Sequence, residues 1–405
     1  MIGPARCLQG IRILDVTVFE AGPACTEVLA WLGAEVIKVE HPKGGDAARS
    51  SFEGSKPGQD APYFLIYNAN KKSITADMKS PEGLSLIKRL IPKVDVFIEN
   101  LAPGAVDRLG LDYEAAKLLN PDLIYAQIKG FGPGSQYEKY LAFDMITQAF
   151  SGIMSISGER DGPPVKPGIT LGDTGTGMLI AVSILASLFR RAREGGGERL
   201  QVSMQDAMLQ YIRSALGAQL ATGKLYTRNG SKVAANPPSG IFPCHPGGKN
   251  DFIYIYTGRG NRAHWHRLLE TIGRSDLIGD ERYETATERL KRETEIDAMI
   301  SDWTSRRDKR EAMRLLGEAG VPAGAVMDTM EVHHDPELER RNVMQLMRHP
   351  VVGPIRVPTW PVSHDNQFAS VQPSPLLGEH NHSIYREWLG LSDEELESLR
   401  ERGTI

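Results

Sequence analysis

Residues 169–178, ITLGDTGTGM, set one carboxylate among three glycines and three threonines, directly ahead of an apolar run. Two chemistries fit Asp173 in that position. It can cap the helix that follows, accepting hydrogen bonds from the free amides of the first turn. Or it can attack a thioester carbonyl as a nucleophile. In that case Gly172, Gly175 and Gly177 let a substrate approach the backbone closely, and the free amides stabilise an oxyanion. The helix terminus keeps such a carboxylate ionised and tempers its nucleophilicity. Spacing alone leaves both open.

Other candidates carry a bland and a functional meaning side by side. Asp144 opens DMITQAFSGI, where it either caps a helix or positions an acceptor acid. GFGPG at 130–134 is either a turn or a backbone-lined loop over a ligand. It is not GxGxxG, and no such fingerprint follows the first strand pattern, which disfavours a nicotinamide cofactor. Lys71, Lys72 and Lys79 surround a strand pattern, NKKSITADMK, as a solvated edge or as point charges for the phosphates of a nucleotide-like ligand. Arg108 lies past a strand end, eight residues beyond Asn100. The histidines show no HExxH or supported ligand spacing, so no metal is expected, and SGIMSISG holds no GxSxG elbow.

The elements that must position these residues alternate over the first two hundred. IRILDVT, EVIKVE, DVFIEN and LIYAQIKGF read as buried strands; PACTEVLAWLG, SPEGLSLIKRL, AVDRLG and YEAAKLL read as helices between them. Such alternation predicts an open parallel α/β sheet with ligands at the carboxyl ends of its strands. The run MLIAVSILASLF reads as a core helix too short to span a bilayer. REGGGER reads as a polar turn, and SMQDAMLQYIRSALGAQLATG as one helix. The expected domains are a large Rossmann-like unit at 1–222, a linker at 223–242, a smaller α/β unit at 243–327, and a segment at 328–405 that returns to the large domain. The terminal SDEELESLRERG opens with a capping box.

Composition narrows the class. The chain has 405 residues, 41% of them hydrophobic, with a net charge of −4, so neither nucleic acid nor a membrane is expected as a partner. Cys7, Cys25 and Cys244 are odd in number and far apart, which fits a reducing cytoplasm, and MIGPARCLQG shows no leader pattern.

These segments together resemble the class III CoA transferases, the CaiB/BaiF family. The match runs nearly end to end through DVTVFEAGPACTEVLAWLGAEVIKVEHPKGGD, NANKKSITADMKSPEG, IENLAPGAVDRLGLDYE, NPDLIYAQIKGFGPGSQYE, GDTGTGM, SMQDAML and PLLGEH. The resemblance implies an interlocked homodimer and a covalent transfer on Asp173, by way of a mixed anhydride and an enzyme-CoA thioester. It implies CoA thioesters as substrates, from formyl-CoA, succinyl-CoA or a related donor, a small carboxylic acid as acceptor, and no resident cofactor. CoA contacts carry over to Glu20, Ala21, His41, Ala76, Lys79, Asn100, Leu101, Arg108 and Phe143. Glu20 replaces the glutamine of formyl-CoA transferases, His41 an arginine, and Leu101 an aromatic residue. Leu141 and Phe143 stand for their lysine and tyrosine, and their glycine run has no counterpart at 224–240. The alternatives are an isomerase, meaning an α-methylacyl-CoA racemase or an intramolecular CoA transferase, and a non-catalytic acyl-CoA-binding protein. Phe143 cannot act as the second acid/base group of a racemase.

Overall fold

The computed structural model describes residues 6–50, 56, 58–258 and 260–405. Residues 1–5 of the segment read for a leader lie outside them. The chain divides into two compact units, Met1–Met154 with Lys166–Lys224 and Pro336–Ile405, and Ser155–Val165 with Leu225–Asp335.

In the first unit the elements run β1 (Arg12–Val16), α1 (Ala21–Trp31), β2 (Glu35–Glu40), α2 (Pro62–Tyr67), β3 (Lys72–Thr75), α3 (Pro81–Leu90), β4 (Val96–Glu99), α4 (Ala105–Leu109), α5 (Tyr113–Leu119), β5 (Ile124–Lys129), α6 (Asp144–Phe150), α7 (Leu171–Glu194), β6 (Glu198–Ser203) and α8 (Met204–Leu209). The six strands form one sheet in the order β3-β2-β1-β4-β5-β6, each pair parallel. The order reverses between β1 and β4, and the crevice outside their carboxyl ends is the ligand position of such sheets.

Period-two alternation along buried strands sends neighbours to opposite cores. Leu14, Ile37, Ile74 and Phe97 join Ile87 of α3 and the carboxy-terminal Tyr385 and Trp388 on one face. Ile13, Val36 and Ile98 join Leu29 of α1 and Ile180 and Ile184 of α7 on the other. The three glycines of REGGGER make the expected turn between α7 and β6, but β6 itself, which takes the last two residues of that segment, is a strand not assigned from the sequence. It pairs on one side only, and exposed Arg199 and Gln201 alternate with half-buried residues, so ERLQVS lacks the apolar run of an interior strand. The single helix expected after it is two, α8 and a helix at Arg213–Thr222, because the chain turns out at Tyr211.

α7 spans 24 residues, long and apolar enough by length and composition to cross a membrane, yet half of its most apolar 18-residue stretch is buried. It therefore extends well beyond the apolar run read from the sequence and serves as a core helix. It packs tightly on α1: a Cβ built on Gly177 would lie 2.6 Å from the Ala21 carbonyl oxygen. The second unit pairs β7 (Ser239–Pro243), β8 (Phe252–Tyr256) and β9 (Ala323–Ala325) antiparallel, over a core of Trp265, Leu268, Ile300 and Leu316.

Gly177→Ala should destabilise the first unit by about 1–2 kcal/mol, overpacking against backbone outweighing the better helix propensity of alanine. A urea midpoint equal to or above that of the parent would show that α1 yields freely.

Candidate functional site

β1 ends in a loop, residues 17–20, whose shape buried charge decides. The Lys38 ammonium pairs with Asp46 at 2.9 Å and donates to the Thr17 carbonyl at 2.8 Å, with neither side chain exposed. Asp46 in turn accepts the Phe19 amide at 3.2 Å. Asn100, just past β4, closes the crevice from the other side: its amide accepts from Val18 N–H and donates to Val18 C=O, both at 2.8 Å. Phe19 is held at φ 62, a left-handed conformation that a bulky residue adopts only under such constraint. The chain then throws Glu20 inward at the head of α1.

Glu20 is 1% exposed and does not cap α1. Its Oε1 accepts from the Thr170 hydroxyl and, at 2.6 Å, from the Thr174 hydroxyl, while Oε2 accepts from Tyr63 at 2.7 Å. Thr170 and Thr174 straddle Asp173 on the first turn of α7. The capping reading of Asp173 is corrected here: Thr170 is the N-cap position, and Asp173 sits three residues inside. Nor does a strand precede it, since residues 166–170 run irregularly. Among the described residues nothing donates to the Asp173 carboxylate. Its pKa is pushed up to about 7, by burial first and then by the negative charges of Glu20 and Asp144. The expectation that the helix terminus keeps it readily ionised is reversed.

Asp144 is corrected as well. Phe143 holds the N-cap position of α6, and Asp144, 3% exposed, reaches across instead. It accepts the Gly172 amide of α7 and the Gln148 side-chain amide, each at 2.7 Å. One amide expected to be free for an oxyanion is thus already spent, and Asp144 is no free contact for an acceptor. The glycines also do other work than admitting substrate. A Cβ on Gly172 would meet Thr147 Oγ1 at 2.7 Å and Asp144 Oδ1 at 2.9 Å, and one on Gly175 would meet the Tyr211 ring at 2.9 Å. Tyr211 donates to the Gly175 carbonyl at 2.8 Å. Together with Gly177 they let three neighbours dock tightly on one helix turn.

Asp173 opens onto a mainly apolar cavity of about 240 Å³. Glu20, Ala21, Asn100, Leu101 and Phe143 line it, so six of the ten candidate residues, Asp173 included, converge. Phe143 meets Phe19 edge-on, centroids 6.2 Å apart. Gly130 of the GFGPG turn lines the same wall. His41, Ala76, Lys79 and Arg108 lie outside this cavity. Three of them follow the carboxyl ends of β2 and β3: His41 faces Asp77 at 3.8 Å, Ala76 donates to Glu40 C=O at 2.8 Å, and Lys79 is exposed. Arg108 is exposed on α4.

The lysine cluster dissolves. Lys71 is buried, donating to Asn68 at 2.9 Å and Pro23 C=O at 3.0 Å beside Asp15 at 3.3 Å. Lys72 pairs with Glu35 at 2.6 Å, at the amino end of β2. Sequence reasoning missed Tyr63, Thr170 and Thr174, which donate to Glu20, and Tyr67, whose ring packs edge-on against Tyr63. The hydroxyls at −3 and +1 from Asp173 were a visible signal; the tyrosines, more than forty residues from Glu20, offered none.

Three comparisons bear on this arrangement. Residues 8–381 match the model of CoA-transferase family III. The chain is 37% identical over 414 residues to a formyl-CoA:oxalate CoA-transferase of Streptomyces coelicolor, covering 99% of this chain and all of that protein. A formyl-CoA:oxalate CoA-transferase of Rhodopseudomonas palustris is 35% identical, over 99% of this chain and 97% of its own. A CaiB/BaiF family protein from Brucella suis superposes with a TM-score of 0.83 at 31% identity, covering 94% of this chain and 98% of that one.

The raised Asp173 pKa has a stability consequence of definite sign. Between the ordinary carboxylate value and about 7 the folded protein keeps a proton that the unfolded chain has lost, so stability falls as pH rises through that window. Asp173→Asn should therefore raise the unfolding free energy by about 1–3 kcal/mol at pH 8, with the gain vanishing below about pH 4. Denaturant titrations at the two pH values check this; equal stabilities at pH 8 would mean that Asp173 ionises freely.

Proposed function

The chain belongs to CoA-transferase family III, and on that footing we propose that it moves CoA from an acyl-CoA donor to a small carboxylic acid through covalent intermediates on Asp173. The observation that carries this is the contrast among the three carboxylates. Glu20 and Asp144 have their oxygens committed to hydroxyl and amide donors, while Asp173 faces the cavity with no donor of its own among the described residues.

The transfer proceeds as four acyl exchanges. An Asp173 oxygen attacks the thioester carbon, the C–S bond breaks, and CoA leaves as thiolate from a mixed anhydride. The thiolate attacks the aspartyl carbonyl, releasing the donor's acid and leaving an enzyme-CoA thioester. The acceptor carboxylate attacks that carbonyl to form a second anhydride, again expelling the thiolate. Attack of the thiolate on the acceptor's acyl carbon yields the new acyl-CoA and restores Asp173. Each exchange replaces one activated acyl group by another, so no step crosses a large free-energy gap.

The apolar cavity suits the thioester end of CoA, with Ala21, Asn100, Leu101 and Phe143 along it. His41, Ala76, Lys79 and Arg108 take the nucleotide end along the crevice. The names of the relatives put formyl-CoA among the donors to try and oxalate among the acceptors. We place the enzyme in the cytoplasm as an interlocked homodimer. A racemase needs a second proton carrier opposite Asp173, and the phenyl ring at 143 supplies none.

Incubation with formyl-CoA, acetyl-CoA and succinyl-CoA, followed by intact mass, tests the chemistry. A CoA-sized gain that maps to Asp173, is removed by hydroxylamine and is missing in Asp173→Ala is expected. CoA binding without any adduct would sink the covalent route.

A further inference from the structure

We propose that Glu20 is a specificity-determining residue: by fixing a second carboxylate beside the nucleophile, it selects monocarboxylate acceptors over small dicarboxylates. This rests on the transferase reading above and narrows it to a substrate class. Glu20 is not a mobile surface acid. It is 1% exposed, and hydroxyls from Thr170, Thr174 and Tyr63 hold both of its oxygens. Both threonines flank Asp173 on the same helix turn, so the charge stands at a set place next to the attacking group. Asp144 adds a third carboxylate behind Gly172.

Among the described lining residues no uncommitted cation offsets a further negative charge. Lys129 is the one basic side chain among the lining residues, and its ammonium is engaged by the Glu99 carboxylate at 2.8 Å and the Leu101 carbonyl at 2.7 Å. The rest of the wall is largely apolar, with Phe19, Leu101, Leu141, Phe143 and Met204; its neutral polar side chains are Asn100, whose amide is taken up by Val18, and Tyr140. An acceptor must bring one carboxylate to the Asp173 thioester. A second carboxylate on a two- to four-carbon acid would then lie within a few ångströms of Glu20, desolvated and unpaired. A methyl or methylene group in its place meets apolar surface. Burial raises the proton affinity of Asp173 first, and the charges of Glu20 and Asp144 add to it.

The test compares matched acceptor pairs, glyoxylate with oxalate and butyrate with succinate, using whichever CoA donor labels Asp173. Wild type should favour the monocarboxylate of each pair in kcat/KM by about tenfold or more, the scale of one like-charge contact at partly screened range. Glu20→Gln keeps the shape and the hydroxyl contacts but removes the charge, and should narrow that ratio about tenfold, mainly through the KM of the dicarboxylate. Glu20→Asp, which retains charge, should keep the preference. A wild-type preference for the dicarboxylates, or a ratio unmoved by Glu20→Gln, overturns the proposal. If Gln at position 20 prevents folding, the wild-type preference across both pairs decides it alone. Labelling of Asp173 with the wrong acceptor preference defeats only this inference; no labelling and no turnover with any pair defeats the transferase reading and this one with it.

Discussion

Three carboxylates gathered where α1, α6 and α7 meet impose the constraint that the crevice end of this unit is built around. Like charges brought out of water repel and are poorly solvated, so each needs its own donors or must take up a proton. The fold settles them differently. Glu20 takes three hydroxyls, Asp144 takes two amides, and Asp173 takes none and holds its proton more tightly. The donors come from elements distant in sequence, so the loop after β1, the first turn of α7 and the start of α6 must all be placed together. The buried Lys38–Asp46 pair anchors that loop, Arg49–Glu40 holds the segment that carries Asp46, and each pair would be costly to break on one side only.

The parallel sheet was legible because interior strands must be apolar on both faces: EVIKVE and DVFIEN announce themselves even with ionic residues at their ends and Lys38 inside the first. β6 was not, since one free edge and one solvated face give ERLQVS a polar composition. The position of Asp173 was legible from its glycines and from resemblance, but the meaning of those glycines was not. A glycine next to a catalytic acid suggests room for substrate, whereas here the missing Cβ atoms admit Thr147, Tyr211 and the α1 backbone. Close packing and open access leave the same mark in a sequence. Lys71 shows the converse failure. Adjacent lysines read as a surface pair, yet strand alternation sends Lys71 into the interior against Asp15 and Lys72 toward Glu35, and only the register of β3 on β2 reveals it.

The proton on Asp173 ties this packing to reactivity. A carboxylate strongly stabilised by hydrogen bonds is a weak base and a sluggish nucleophile, and the amino end of α7 pulls in that direction. Neighbouring charge and burial pull the other way, so the group gains nucleophilic strength at the expense of being partly protonated near neutrality. Both demands are met only if the stabilising donors are withheld from Asp173 and given to its neighbours. Moving Asp144 onto the Gly172 amide does that on one side, since it takes up a first-turn donor that the catalytic carboxylate would otherwise attract. Drawing the Thr170 and Thr174 hydroxyls toward Glu20 does it on the other. Reactivity at Asp173 thus depends less on what touches it than on which donors its two companion acids keep away.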